Sequence, residues 1–235
     1  MIGIIAGGSS CPVALEGVEQ RKVESPYGEA SGLVTLGFLG GREIAFLGRH
    51  GSERIPPHRI NHRANIFALK SLGVSQVIGI HSVGSLKEGI PPGWVVIPHD
   101  FLCPWQILSF HEDRAVHITP ALDEELRVVL VRAAVEARTN FVDRGVYVQT
   151  IGPRLETKAE IAMLSHFGDL VGMTMAHEAT LCQERAMAHA SICSVDNYAH
   201  GVIDTPLREE EIRRRARENV AQIQKVLARA LENLA

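Results

Sequence analysis

Six short segments gather residue types that can hold an anion or read a polar ring. Gly7-Gly8-Ser9-Ser10 follows an apolar run, and a glycine turn there lets backbone N–H groups close on a phosphate-like anion. Leu47-Gly48-Arg49-His50-Gly51 ends another apolar run and sets a rigid guanidinium fork beside a second donor. His81-Ser82-Val83-Gly84-Ser85-Leu86 brings an imidazole and hydroxyls into a small-residue turn. Gly152-Pro153-Arg154-Leu155-Glu156-Thr157 carries a carboxylate able to accept hydrogen bonds from a ligand. Gly172-Met173-Thr174-Met175-Ala176-His177-Glu178 mixes soft apolar and polar side chains. Ser194-Val195-Asp196-Asn197-Tyr198 closes an apolar run in polar residues, which is where open α/β sheets bind ligands.

Taken singly, each segment has a structural explanation that is the commoner one. Glycines after a first strand often only turn the chain, His81 alone suits a satisfied core histidine, and Met-Thr-Met alone suits core filler. Arg154 suits an ion pair, and Glu156 suits the positive end of a helix dipole. The chain lacks G-x-G-x-x-G and G-x-x-x-x-G-K-[ST], so dinucleotide and ATP sites lose their best support. It also lacks H-E-x-x-H or comparable ligand spacing, so the 11 histidines do not spell a zinc hydrolase, and no metal is expected.

The elements that must position these segments are legible as alternating patterns. Short apolar runs bounded by turn residues predict buried strands at 2–6, 33–39, 43–47, 76–81, 95–97, 145–150 and 190–195. Helical spacing predicts helices over 61–72, 120–137, 156–167 and 177–187. A last helix is predicted with Thr205 as N-cap, Pro206 at the first position and Glu209 to Glu211 facing the dipole. Its apolar stripe is Ile212, Ala216, Ile223, Leu227, Leu231 and Leu234, and its Arg213-Arg214-Arg215 run reads as a solvated face balanced by glutamates. Strands alternating with helices imply an α/β fold. Two adjacent early strands and an irregular stretch from Gly89 to Thr119 imply a mixed sheet flanked by helices, all within one domain spanning 1–235.

The chain has 235 residues, 46% hydrophobic, with 24 Lys+Arg against 27 Asp+Glu and a net charge of −3. That apolar fraction excludes a disordered chain, and the absent basic excess argues against a nucleic-acid scaffold. The four cysteines (Cys11, Cys103, Cys182, Cys193) form no CxxC pair and read as free thiols. Without a signal peptide or an apolar run near the ~20 residues that cross a bilayer, the sequence reads as a cytoplasmic protein with no membrane partner.

In their order along the chain, the six segments resemble the purine nucleoside phosphorylase family, and specifically its methylthioadenosine/methylthioinosine phosphorylase branch. The likeness spans roughly the whole chain and is densest in 2–8, 49–51, 61–73, 84–86, 152–160 and 173–184. The resemblance implies cleavage of a purine nucleoside's N-glycosidic bond by inorganic phosphate as co-substrate, with no cofactor and no metal. It also implies a homotrimer or a dimer of trimers; the stretch 101–110, with Trp105, is the expected interface.

Carried over position by position, the resemblance puts Arg49, His50, Thr174 and Ser82 around phosphate, with Gly7 and Gly8 supplying the loop. The family has Thr or Ser at Gly8, so Ser9 or Ser10 is expected to take over that contact. Met173 would pack on the ribose and Leu155, where the family usually has Phe, on the base; Val83, Gly84 and Ala199 complete the nucleoside site. His81 stands where the branch usually has Thr, Ala176-His177-Glu178 stands for Val-Pro-Glu, and Pro57-His58 for Pro-Ser.

The catalytic residues implied are Asn197, Glu156 and His50. Asn197 aligns with the Asp of the adenine-cleaving branch, and Ala199 with a second Asp. An amide offers a donor and an acceptor together, so Asn197 can donate to a 6-oxo group while accepting from a protonating N7. Glu156 can accept from the N1–H of hypoxanthine or guanine. The expected activity is therefore on inosine, guanosine or 5′-methylthioinosine. The alternatives are a methylthioadenosine phosphorylase reading the base through Asp196, and a non-catalytic nucleoside-binding protein on the same fold.

Overall fold

The computed structural model describes residues 1–8, 12–106 and 108–234. In chain order the elements are β1 (Ile2–Ala6), β2 (Glu16–Arg21), β3 (Val34–Leu39), β4 (Arg42–Gly48), α1 (His62–Ser71), β5 (Gln76–Ser85), β6 (Val95–Val96), β7 (Asp100–Leu102), α2 (Glu124–Glu136), β8 (Phe141–Val142), β9 (Val146–Gln149), α3 (Lys158–Leu164), β10 (Leu170–Gly172), α4 (Met175–Glu184), β11 (Ala188–Tyr198) and α5 (Glu209–Asn233).

The strands form one mixed sheet running β2-β3-β4-β1-β5-β10-β9-β7, with β11 on β5 and β6, and β8 on β6. Pairing is parallel for β1 with β4 and β5 and for β5 with β11; it is antiparallel for β3 with β4 and β5 with β10. Both faces are covered. Ile2, Ile4, Ile44 and Phe46 turn to the side packed by α2 and α5, while Ile5, Ala45 and Leu47 turn to the side packed by α1 and α4. This two-sided burial explains why these strands read as unbroken apolar runs instead of alternating ones.

Three expectations change. Strands β2, β7, β8 and β10 are additions: β7, β8 and β10 are only two or three residues long, too short to show a pattern, and β2 is exposed throughout and is held as an edge strand by backbone pairing to β3. Helix α5 begins at Glu209 with Arg208 as an unbonded N-cap, not at Thr205, and Leu207 just ahead of it lines the wall of a cleft. Helix α3 begins at Lys158 behind a capping box of Thr157 and Glu160, which leaves Glu156 outside the helix and free for another role. In α5, Arg213 and Arg214 pair with Glu209 and Glu218, as a solvated face should.

Phe110 also departs from the exposed surface expected over 101–110. It is buried, edge-on to Tyr27 and beneath the Arg185 guanidinium 4.0 Å from its ring centre, whereas Trp105 is exposed. The thiols of Cys103, Cys182 and Cys193 are free, and Cys11 lies outside the described residues.

Candidate active site

The site opens where two strands share one edge of β5. On that edge β1 pairs as far as Gly79, and β10 takes over at Gly84. The backbone between them is reached by a side chain: Arg49, at the end of β4, donates from Nη1 to the Ile80 carbonyl at 3.0 Å. Arg49 is only 2% exposed. Its Nε–H and Nη2–H form a fork on the Glu178 carboxylate, the latter at 3.0 Å, and Nη2 also reaches the Ile5 carbonyl at 3.3 Å. A guanidinium has five N–H groups, so one on Nη1 has no partner among the described residues. Burial pushes the Glu178 carboxyl up, and the adjacent Arg49 charge opposes the shift.

His50 follows Arg49, with Nδ1 2.6 Å from the Ile55 carbonyl. A carbonyl only accepts, so Nδ1 carries the proton and Nε2 is left as a lone pair. Burial lowers its pKa and Arg49 pushes the same way, while the Ile55 bond opposes them.

Thr174 is the N-cap residue of α4, yet its hydroxyl makes no cap bond. The helix's first amides are satisfied from elsewhere: the Tyr147 hydroxyl accepts from Thr174 N–H at 3.1 Å, and Gln149 Oε1 accepts from Ala176 N–H at 2.6 Å. The Thr174 hydroxyl is thereby released to the cleft and to His81 Nδ1, 2.9 Å away.

Where β5 pairs with β11, Ser82 donates to Asp196, whose carboxylate also accepts from Ser194 Oγ at 2.6 Å and Asn219 Nδ2 at 2.8 Å. Burial raises the Asp196 pKa against those three bonds. A β-bulge between Val195 and Asn197 pairs Asn197 with Gly84 and leaves Asp196 turned inward. The Asn197 Nδ2 donates to the Tyr198 carbonyl at 2.8 Å, which fixes the amide's orientation and leaves Oδ1 with no donor among the described residues. Gly84 is needed beside it, since a Cβ there would lie 3.2 Å from Asn197 Nδ2. Glu156 is held through Oε1 by the Thr150 hydroxyl at 2.6 Å. Its Oε2 has no donor among the described residues.

One cleft of ≈ 240 Å³ collects these groups. Arg49, His50, Ser82 and Thr174 line it together with Val83, Gly84, Leu155, Glu156, Met173, Asn197 and Ala199, all of them expected. Gly7 lines it as well, whereas Gly8 is exposed and does not; Ser9 and Ser10 lie outside the described residues. Asp196 turns away from this wall. Sequence reasoning missed Val171, Gly172, His200, Leu207 and Ile212 in the lining, and Thr150, Tyr147 and Glu178 behind it. The available signals were faint: a polar residue after β11 for His200, an apolar residue just ahead of a charged helix for Leu207, and the first residue of that helix's apolar stripe for Ile212.

Behind the cleft lies a polar interior that the spacing of the histidines concealed. His62, His81, His177 and His189 are all buried, and His62 and His81 approach the Glu178 carboxylate at 3.7 and 3.8 Å. Burial holds each imidazole neutral, lowering His177 to about 4 and His189 to about 3.

A family model described as the phosphorylase superfamily matches residues 2–232. A probable 6-oxopurine nucleoside phosphorylase of Archaeoglobus fulgidus is 44% identical over 100% of this chain and 97% of its own. A probable S-methyl-5′-thioinosine phosphorylase of Methanocaldococcus jannaschii is 40% identical over 97% and 90%. Among solved structures, a methylthioadenosine phosphorylase from an antarctic soil metagenomic library superposes with a TM-score of 0.87 at 31% identity, covering 98% of this chain and 85% of that one.

Proposed function

Because the chain belongs to the phosphorylase superfamily, we propose that it cleaves purine nucleosides with inorganic phosphate and prefers 6-oxopurines: inosine, guanosine or 5′-methylthioinosine. The observation that carries this reading is that Asn197 and Glu156 line the same cleft as Arg49, His50 and Thr174. One cavity thus offers groups for an anion and groups for a base.

In the proposed reaction a phosphate oxygen bonds to C1′ as the C1′–N9 bond breaks. The electron pair leaves with the purine, which takes a proton at N7, and the products are free purine and a ribose 1-phosphate or its 5-methylthio analogue. The unpartnered Arg49 N–H, the Thr174 hydroxyl and the Gly7 loop backbone hold phosphate, and Ser82 joins them by turning its one hydroxyl proton from Asp196 to the anion. The His50 Nε2 lone pair accepts the remaining P–O–H proton. Met173, Val83, Gly84 and Ala199 shape the ribose and base walls, with Leu155 against the ring. The Asn197 amide accepts at N7 and donates to O6 as negative charge develops, and the free oxygen of Glu156 accepts from N1–H. Residues 1–235 act as one domain, in the cytoplasm, as a homotrimer or dimer of trimers, with phosphate as co-substrate.

Steady-state assays of phosphate-dependent base release from inosine, guanosine, 5′-methylthioinosine and 5′-methylthioadenosine test this directly. Release from the 6-oxo nucleosides is expected. Turnover of methylthioadenosine alone would overturn the 6-oxo assignment, and nucleoside binding without any phosphorolysis would overturn the enzyme.

A further inference from the structure

Three side chains from three elements converge in the polar interior behind the cleft: His81 of β5, His189 of β11 and Glu178 of α4. One ligand atom from each lies within 4.8 Å of the others, and all three residues are buried. His81 Nε2, both ring nitrogens of His189 and the Ser191 hydroxyl have no hydrogen-bond partner among the described residues. Burying polar groups unmet is unfavourable, so this concentration calls for an occupant. The space is kept open by Gly79: a Cβ there would collide with His81 Nε2 and lie 3.0 Å from Ser191 Oγ and 3.1 Å from His189 Nε2.

We propose that His81, His189 and Glu178 bind one divalent transition-metal ion of the zinc class, with Ser191 or a water in the fourth position. Two imidazoles and a carboxylate are the donor set that such ions take, whereas magnesium and calcium want oxygens throughout. His81 already has the second contact that orients a ligating imidazole: its Nδ1 bonds Thr174 Oγ1 at 2.9 Å, and Nε2 points to the site. Glu178 keeps its fork to Arg49, since a carboxylate has about four lone-pair sites and ligating carboxylates are themselves hydrogen-bonded. Tetrahedral zinc needs ligand atoms roughly 3.3 Å apart at bonds of about 2.0–2.1 Å. His189, which no side-chain hydrogen bond among the described residues restrains, supplies the necessary rotation. The ion is structural, anchoring β5, β11 and α4 against one another.

The test uses the full chain without a histidine tag, stripped with chelator and titrated with Co²⁺ and then Zn²⁺. Saturable binding of about one ion per chain is expected, with the visible ligand-field bands of four-coordinate cobalt bleached by zinc, and with a raised Tm. His189→Ala and His81→Ala should lower affinity by roughly tenfold or more, while His117→Ala should leave it unchanged. Wild-type protein that shows no cobalt bands and retains under about a tenth of an ion per chain overturns the site, and that measurement needs no variant to fold. Equal binding by the His81→Ala/His189→Ala double variant overturns it as well.

Discussion

His81 Nδ1 lies 2.9 Å from the hydroxyl of Thr174, and the direction of that hydrogen bond decides what the hydroxyl can offer the cleft. If Thr174 donated to His81, only lone pairs would face a bound anion. With Nδ1–H donating, the hydroxyl proton is released to the phosphate, and His81 Nε2 is left as a lone pair. The buried, neutral state of His81 permits this tautomer.

Thr174→Val therefore removes one donor to a charged ligand while keeping the side chain's shape. A bond of that kind contributes about 1.5–3 kcal/mol, or roughly 10–150-fold. We expect the loss in kcat/KM for phosphate, with nucleoside binding in the absence of phosphate left within about twofold. A loss below about threefold would show that the Thr174 hydroxyl does not hold phosphate.

Asn197 carries the base preference. Asn197→Ala should lower kcat/KM on inosine by about 10²–10³, the usual cost of losing one donor to a developing negative charge. Asn197→Asp replaces the donor facing O6 by an acceptor, and should abolish 6-oxopurine turnover while raising adenine release. A change under tenfold for the alanine variant removes Asn197 from the chemistry.

The buried strands and the cleft were readable because both leave local marks. The strands are unbroken apolar runs, and the site residues sit at strand ends in short polar clusters such as Arg49-His50 and Asp196-Asn197. What could not be read was made by tertiary contacts. β2 is charged and exposed and exists through backbone pairing alone. One bulge decides which of Asp196 and Asn197 faces the cleft, and no propensity marks it. The histidine cluster joins positions 62, 81, 177 and 189, which share no sequence spacing and meet only in the fold.

Acid should unfold the metal-free chain well before most carboxylates are protonated. Burial lowers the pKa of His50, His62, His81, His177 and His189, so the unfolded chain binds more protons than the folded one below the ordinary histidine value of about 6.5. Stability is then fully present above that pH and falls as pH drops towards 4 and 3, where His177 and His189 finally titrate in the fold. Glu178 and Asp196, both raised, act in the opposite sense. Below about pH 6.5 each imidazole kept neutral in the fold contributes a downward slope of up to about 1.4 kcal/mol per pH unit, and the two carboxyls reduce it. Urea titrations at pH 7, 6 and 5 should show that slope; a flat profile would mean the histidines are not buried as described.

Arg49 and Glu178 make the last prediction, because a buried ion pair stabilises a fold in a particular, asymmetric way. Both are nearly inaccessible, and the guanidinium forks onto the carboxylate. Most of the pair's attraction is offset by the cost of taking two charges out of water, yet removing one partner strands the other. Glu178→Leu leaves Arg49 with two carbonyls but no counter-charge, and Arg49→Met leaves a buried carboxylate among neutral histidines. Each single variant should lose about 3–5 kcal/mol, which for a chain of this size lowers Tm by roughly 6–20 °C. The double variant should recover most of that loss, since it buries no uncompensated charge. Calorimetry on the metal-free proteins checks the cycle: additive losses in the double variant would mean that the two residues act independently, and that Glu178 is not what holds Arg49 in the cleft wall.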